Sequence, residues 1–349
     1  MSTGGLTDVP GLFLGHAEVQ SSGVSVVVCP EGAVGAVDVR GGGPGTRETD
    51  LLAPSNSAEA VHAVALCGGS AFGLDAAGGV MAELEDRGIG LQVLGDLAPS
   101  LIVPIVPSAV IFDLPVGDPA SRPTADTGRR AVQRALDCSQ DGSQDRTQDA
   151  GNVGAGRAAT AGALKGGFGE ASCGVDLPGG GRAVVAVGLV VNAVGSVVDP
   201  STGALWGNRT PEPVPEPTAA GLRTILERGV DGTKMTGPDP SPMNTTIGVV
   251  ATDATVTKAQ AERLAMAAHD GLARAVRPSH LPMDGDTFFA LAPSGARGGV
   301  ATTDLAALCA AAATVTERAV VEAVLAAETA FDVPSWRDVM NCPGRPHTP

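Results

Sequence analysis

Met243-Asn244-Thr245-Thr246-Ile247-Gly248-Val249-Val250-Ala251-Thr252-Asp253 is the stretch on which the reading of this chain turns. Its approach, Thr236-Gly237-Pro238-Asp239-Pro240-Ser241-Pro242, is too rich in proline for regular structure, and a β-branched run follows at once. The run predicts a buried strand that starts at Thr245 and lies centrally in a sheet. An Asn244-Thr245 bond held taut at a strand entrance suits a chain that cuts itself. The Thr245 hydroxyl attacks the preceding carbonyl, and hydrolysis of the ester leaves Thr245 as a new N-terminus. Its freed α-amino group (reference pKa about 7.7–8.0) then serves as general base for its own hydroxyl. Two plainer readings fit the same residues: an ordinary loop-to-strand junction, and the N-x-[ST] glycosylation pattern, which Asn208-Arg209-Thr210 also matches.

Working outward, 349 residues suffice for a large core, read here as a single domain over 1–349 that self-cleavage divides into 1–244 and 245–349. Aromatic residues are only 3% and tyrosine is absent, whereas glycine occurs 48 times, so elements are expected to pack closely through small side chains. A net charge of −15 argues against a nucleic-acid partner, which needs clustered Lys and Arg. The first residues lack a basic region followed by an apolar run, and no segment approaches about 20 apolar residues, so neither a signal peptide nor a membrane partner is expected. Six cysteines without C-x-x-C spacing read as free thiols of a cytoplasmic protein.

Upstream, residues 24–28 and 33–39 are two apolar runs split by Pro30-Glu31-Gly32, which reads as a hairpin. The glycine-rich segment 40–47 reads as a surface loop. Cys67-Gly68-Gly69-Ser70-Ala71-Phe72 fails the G-x-S-x-G spacing of a nucleophile elbow and reads instead as a tight strand-to-helix turn. A helix over 70–87 follows, with Gly78-Gly79 implying a close neighbour. Residues 101–113 are extended and punctuated by prolines, 127–136 form a basic helix, and the Gln-Asp repeats at 137–149 read as a solvated linker. Gly151-Asn152-Val153-Gly154-Ala155-Gly156 only loosely fits a dinucleotide fingerprint and lacks the strand before it. Lys165 stands alone in a glycine-rich run, either as a solvated turn residue or as a positioned cation near a reacting carbonyl. Residues 183–191 form a central strand ending at Asn192, a turn residue or an oxyanion donor, and 196–199 read as a second strand.

Past a proline-rich break at 211–217 comes a short helix to about 228. Downstream of the Thr245 strand, Thr257 and Gln260 form a capping box for a helix reaching toward Pro278. Met283-Asp284-Gly285-Asp286-Thr287 is a turn into another strand, a long alanine-rich helix covers 303–329, and the tail is proline-rich.

As a set, Gly68-Gly69-Ser70-Ala71-Phe72-Gly73-Leu74, Ser108-Ala109-Val110-Ile111-Phe112-Asp113, Gly151–Gly156 with Ala163-Leu164-Lys165-Gly166-Gly167, Val190-Val191-Asn192, Asn244-Thr245-Thr246-Ile247 and Met283–Thr287 resemble the DmpA-type aminopeptidase family. These are self-processing hydrolases with an N-terminal Ser or Thr nucleophile. The threonine pair and the Asp-Gly-Asp-Thr turn look most like its nylon (aminohexanoate) oligomer hydrolase branch. The resemblance covers nearly the whole chain. It implies an α/β fold, an αββα four-layer sandwich in which the cut fragments stay together, with no cofactor and a homo-oligomeric state, dimer or tetramer. It also implies Thr245 as nucleophile, Lys165 holding local charge or the substrate carbonyl, Asn192 donating to the oxyanion, and Asp284 and Asp286 orienting the Thr245 amine and hydroxyl. The pattern departs at Phe112, where relatives place a tyrosine, so that hydroxyl is absent or replaced. The expected substrate is a small peptide or aminohexanoate-type amide.

Other classes compete. His280 with Asp284 and Asp286 would suit a metal-dependent hydrolase, an acyltransferase of the ornithine acetyltransferase type would use a related threonine, and a chain that never cuts itself would suit a binding or assembly protein.

Overall fold

The computed structural model describes residues 4–140, 150–207, 219–228, 232–235, 244–293 and 298–341. Of the linker read at 137–149, residues 137–140 instead continue the helix before it, and 141–149 lie outside the described residues, as do the Asn208 pattern, the break at 211–217, the approach at 236–243, the end of the tail and the side chains of Cys138 and Cys342. In chain order the strands are β1 (Phe13–Glu18), β2 (Gly23–Val39), β3 (Thr46–Arg47), β4 (Val61–Cys67), β5 (Leu91–Gln92), β6 (Ile102–Val103), β7 (Ser108–Val110), β8 (Thr160–Ala161), β9 (Leu164–Lys165), β10 (Gly167–Asp176), β11 (Arg182–Val191), β12 (Ile247–Thr252) and β13 (Thr287–Ala292). The α-helices are α1 (Ala76–Asp86), α2 (Ala125–Gln140), α3 (Ala219–Leu226), α4 (Lys258–Ala275), α5 (Thr302–Ala326) and α6 (Trp336–Asn341).

The apolar runs at 24–28 and 33–39 are not a hairpin. They form one strand, β2, which passes from one sheet into another. Its first half pairs with β1 and β4, its second with β13, and the register shifts between Val28 and Ala33. Pro30 cannot donate to a ladder and Gly32 sits at φ 81°, so Pro30-Glu31-Gly32 bends the strand rather than reversing it. A period-2 pattern broken by Pro and Gly is common to both solutions, which is why the pattern alone chose wrongly.

One sheet runs β1-β2-β4-β7-β3 and the other β10-β11-β12-β13-β2. Three apolar layers separate four layers of structure. Val24, Val26 and Val28 pack toward α1 and α2 with Val80, Val132 and Ala135. Val27 and Cys29 instead point between the sheets, where they meet Leu66, Ile247, Val249 and Phe289. Val34 and Ala36, beyond the bend, face the far side with Val250, Leu264, Ala268 and Val320. Val27, Cys29 and Ala33 thus stay between the sheets on both sides of the bend, while even positions serve first one helix pair and then the other. This is the αββα sandwich.

Small residues permit the close layers. A Cβ on Gly79 would run into the Ala125 carbonyl of α2, as expected for a glycine pair with a near neighbour, although Gly78 meets nothing. The strand-to-helix turn after β4 is present, with Gly69 at φ 82° and Ser70 at 54°, leading through a short 3-10 helix (Ser70–Asp75) into α1. Thr257 caps α4 with Gln260 as its capping-box partner. Residues 196–199 form no strand; they make only single bridges to Arg277 and Leu205. There the Ser196 hydroxyl bonds the Val198 backbone in both directions, a local closure that competes with a ladder. Among the described residues no helix is long and apolar enough to cross a membrane.

Candidate active site

β12 lies parallel to β13 and antiparallel to β11, so the start of β12, the start of β13 and the end of β11 meet at one edge. The register joins Val190, Ile247 and Thr287 in a row. Just beyond that row stand Asn192, the Asn244-Thr245-Thr246 junction and the Asp284-Gly285-Asp286 turn, all buried. Topology alone therefore gathers residues that are 92 positions apart in the chain, as 284 is from 192.

The Asn244–Thr245 peptide is clamped from both sides. The Thr245 N–H donates to the Asn192 carbonyl at 2.9 Å, and the Gly285 N–H donates to the Asn244 carbonyl at 2.7 Å. Gly285 has to be glycine, since a Cβ there would lie 2.7 Å from Thr245 Oγ1 and 2.8 Å from the Gly43 carbonyl oxygen. The glycine-rich segment after β2, read as a surface loop, is in fact half-exposed and braces this turn. Gly43 N–H donates to the Asp284 carbonyl at 2.8 Å and Arg40 N–H to the Asp286 carbonyl at 3.0 Å.

The two carboxylates have separate tasks. Asp286 accepts from the Thr246 N–H at 2.8 Å through Oδ1, and its Oδ2 bonds the His280 N–H at 3.0 Å and Nδ1 at 2.8 Å. It therefore fixes the backbone one residue after Thr245. Asp284 accepts from the Leu281 N–H at 2.9 Å. Burial, and then repulsion from Asp286, push its pKa up to about 6, with Lys234 pulling the other way. Among the described residues no three His, Cys, Asp or Glu side chains form a metal-ligand cluster, and His280 is turned onto Asp286.

Lys234 escaped the sequence reading. Its ammonium donates to the Asn244 side-chain oxygen and lies 3.4 Å from the Asn192 side-chain oxygen. Burial lowers its pKa to about 7, against the pull of Asp284. A signal was present: lysine occurs at only three positions, 165, 234 and 258, in a chain that otherwise uses arginine for positive charge. Lysine is the cation whose pKa moves readily on burial.

Lys165 has different company from that expected. It is fully buried, and its ammonium donates to the carbonyls of Gly156 (3.1 Å), Ala159 (2.8 Å) and Gly166 (3.0 Å). Three acceptors match the three N–H donors of an ammonium, and Lys258 is held in the same way by Leu51, Asn56 and Ala58. Burial lowers the Lys165 pKa to about 7, opposed by Asp113. This lysine ties together the loop beneath the site. Lys165→Met is expected to destabilise the fold by about 2–3 kcal/mol through carbonyls left without donors. That should lower Tm by about 3–4 °C. A thermal melt in the Thr245→Ala background reads this directly. An unchanged Tm there, with activity lost when Lys165→Met is made in the otherwise wild-type chain, would assign Lys165 to the chemistry instead.

Asn192 is bonded through both ends of its side-chain amide. Its amide nitrogen donates to the Phe112 carbonyl at 3.0 Å, and its oxygen accepts from the Thr160 N–H at 3.0 Å. It is the Asn192 backbone carbonyl that touches Thr245. Beside Asn244 a cavity of about 390 Å³ opens, lined by Phe112, Val116, Thr160, Arg228, Lys234 and Val333 among others. Phe112 is among these lining residues, and as a phenylalanine it brings no hydroxyl. Cys29, Cys67, Cys173 and Cys309 are free thiols.

Comparison with known proteins adds the lineage of this arrangement. The profile described as peptidase family S58 matches residues 4–333. An uncharacterized aminopeptidase of Mycobacterium leprae (strain TN) is 46% identical, with 95% of this chain and 92% of that protein covered. A 6-aminohexanoate-oligomer endohydrolase of Kocuria sp. (strain KY2) is 29% identical over 81% of this chain and 73% of its own. In fold, the chain resembles the L-aminopeptidase D-Ala-esterase/amidase of Ochrobactrum anthropi, a variant of the Ntn hydrolase fold. The TM-score is 0.66 at 19% identity, covering 96% of this chain and 91% of that one.

Proposed function

The chain belongs to peptidase family S58 and is a hydrolase of amide bonds; from that premise we propose that it cuts itself between Asn244 and Thr245 and then uses Thr245 as an N-terminal nucleophile. The observation that carries this reading is the Asn244 carbonyl, held by the Gly285 N–H at 2.7 Å where the Thr245 hydroxyl borders the same glycine. The hydroxyl oxygen forms a bond to the Asn244 carbonyl carbon, and the Gly285 N–H stabilises the charge that develops on oxygen. The C–N bond then breaks, and the hydroxyl proton passes to the departing Thr245 nitrogen. Water hydrolyses the ester to an Asn244 carboxylate and a free Thr245 hydroxyl.

In the mature enzyme the Thr245 amine stays near the Asn192 carbonyl that its N–H bonds in the uncut chain. It takes the hydroxyl proton as the oxygen attacks a substrate amide, and passes that proton to the leaving amine. Water releases the acyl group and restores the hydroxyl. The substrates are small peptides or aminohexanoate-type amides, the class named in a relative.

Lys234 and Asp284 set the pH window of self-cleavage. Asp284 is ionised above about pH 6 and Lys234 is protonated below about pH 7. The charged pair is therefore most populated between those values and disappears on either side. Intact-mass analysis of freshly refolded chain should show conversion into 1–244 and 245–349 fastest between pH 6 and 7. Asp284→Asn should remove the acidic limb. One intact mass in active protein would sink the reading, and a flat profile from pH 5 to 8 would remove this pair from it.

A further inference from the structure

His280 supplies two of the three N–H bonds that the Asp286 carboxylate accepts, yet the steps of cleavage give it no part. Its backbone N–H and its ring Nδ1 both meet Asp286 Oδ2, at 3.0 Å and 2.8 Å. A carboxylate only accepts, so Nδ1 carries the ring proton. The other ring nitrogen, Nε2, is buried and bonds nothing among the described residues. The ring thus has no second polar task there. The backbone of His280 stands at φ 59°, in the left-handed region that residues other than glycine seldom adopt, His, Asn and Asp being the usual exceptions. Strain of this kind collects at functional sites, where the surrounding structure holds it in place. The ring also packs edge-on against His269 of α4, with centroids 4.8 Å apart. His269 is itself fully buried, bonded through Nε2 to the Asp38 carbonyl at 2.9 Å and packed on Phe288 of β13.

From these contacts we infer that His280 is a positioning residue for the Thr245 chemistry and acts through Asp286, fixing the carboxylate so that its Oδ1 stays on the Thr246 N–H. This rests on the Thr245 reading. The terminal torsion of an aspartate is broad, and one bond at Oδ1 would leave the carboxylate free to turn. Two donors from one residue on Oδ2 close that freedom, and the Thr246 N–H at 2.8 Å then has a fixed acceptor. Thr246 directly follows the nucleophile, so any drift of its backbone moves the Thr245 hydroxyl relative to the Asn244 carbonyl. A displacement of about 1 Å between reacting groups can cost about 10² in rate. The line of contact runs from α4 through His269, His280 and Asp286 to the entrance of β12. A helix of the outer layer thereby seats the bond that is to be cut.

The test uses two substitutions that both tolerate a left-handed backbone, His280→Gly and His280→Asn. Both keep the backbone N–H for Asp286. Glycine removes the ring donor, whereas the asparagine amide offers an N–H in its place, so the difference between them reads the side-chain bond. Melts in the Thr245→Ala background show that each variant folds. Time courses of fragment appearance from freshly refolded chain should show His280→Gly slowed about tenfold, near the effect of one bond to a charged group, and His280→Asn within about threefold of wild type. The decisive readout is the cycle with Asp286→Asn. Adding His280→Gly to that variant should slow cleavage no further, because a residue that acts through the carboxylate has nothing left to hold. A second tenfold loss in the double variant overturns the inference, as does a folded His280→Gly chain that cuts at the wild-type rate, or a folded His280→Asn chain that is as slow as the glycine variant. Failure of the Thr245 reading looks different, because the wild-type chain is then never cut, or hydrolysis survives Thr245→Ala.

Discussion

Thr245→Ala should yield a folded chain of a single intact mass with no amide hydrolysis. The fold has no stake in the hydroxyl. Thr245 is buried, but the bonds that anchor it come from the backbone: its N–H on Asn192, and the Asn244 carbonyl on Gly285. Alanine keeps both, so Tm should shift by no more than about 1 kcal/mol of stability implies. What disappears is the atom that attacks, in self-cleavage and in turnover alike. Thr245→Ser restores that atom but loses the methyl that restricts χ1, so processing should return more slowly. If the alanine variant were cut at 244–245 at the wild-type rate, the nucleophile would have to lie elsewhere.

Asp286→Asn should come next in effect, slowing self-cleavage by about 10²-fold, the usual consequence of a misplaced reacting group. The carboxylate accepts three N–H bonds: from the Thr246 backbone, the His280 backbone and the His280 ring. An asparagine has one oxygen to offer, so its NH₂ must face at least one of these donors. Whichever orientation it takes, either the Thr246 backbone or the His280 loop has to move. Asp284→Asn is milder in geometry because the Leu281 N–H still finds an oxygen. Its signature is the altered pH limb rather than a rate loss at every pH. Time courses of fragment appearance at several pH values separate the two. Equal behaviour of both variants would mean that the carboxylates do not divide the work as their bonding suggests.

Much of this architecture was legible in the sequence because the relevant strands are uniformly apolar and bounded by turn residues. The runs at 183–191 and 247–252 are read correctly as central strands, and the residues just outside them, Asn192 and Asn244 to Thr246, follow automatically. The Asp-Gly-Asp turn is legible for the same reason, sitting directly before β13. What was hidden depends on partners rather than pattern. Nothing in Pro30-Glu31-Gly32 says whether the strand turns back or crosses to another sheet; only the pairing of β13 with Val34–Val39 decides. The three carbonyls that hold the Lys165 ammonium are likewise invisible in the sequence. The Gly285 N–H is invisible to any motif built on side chains, yet it is the group that touches the Asn244 carbonyl. Lys234 lies in a segment without periodicity, where only the rarity of lysine marked it.

The order β11-β12-β13-β2 sets the sequence of events in the life of the molecule. β12 and β13 belong to the part after Thr245, and both of their outer neighbours belong to the part before it. Each half taken alone would present raw sheet edges and two open apolar faces. If the chain cuts itself as proposed, assembly must come first and cutting second. Before the cut, a denatured molecule can find its way back by itself, in a first-order process indifferent to dilution. Afterwards the same return is a second-order encounter between two incomplete sheets, and it competes with aggregation at a rate set by concentration. Breaking one peptide bond leaves the folded contacts where they were and makes unfolding far harder to undo.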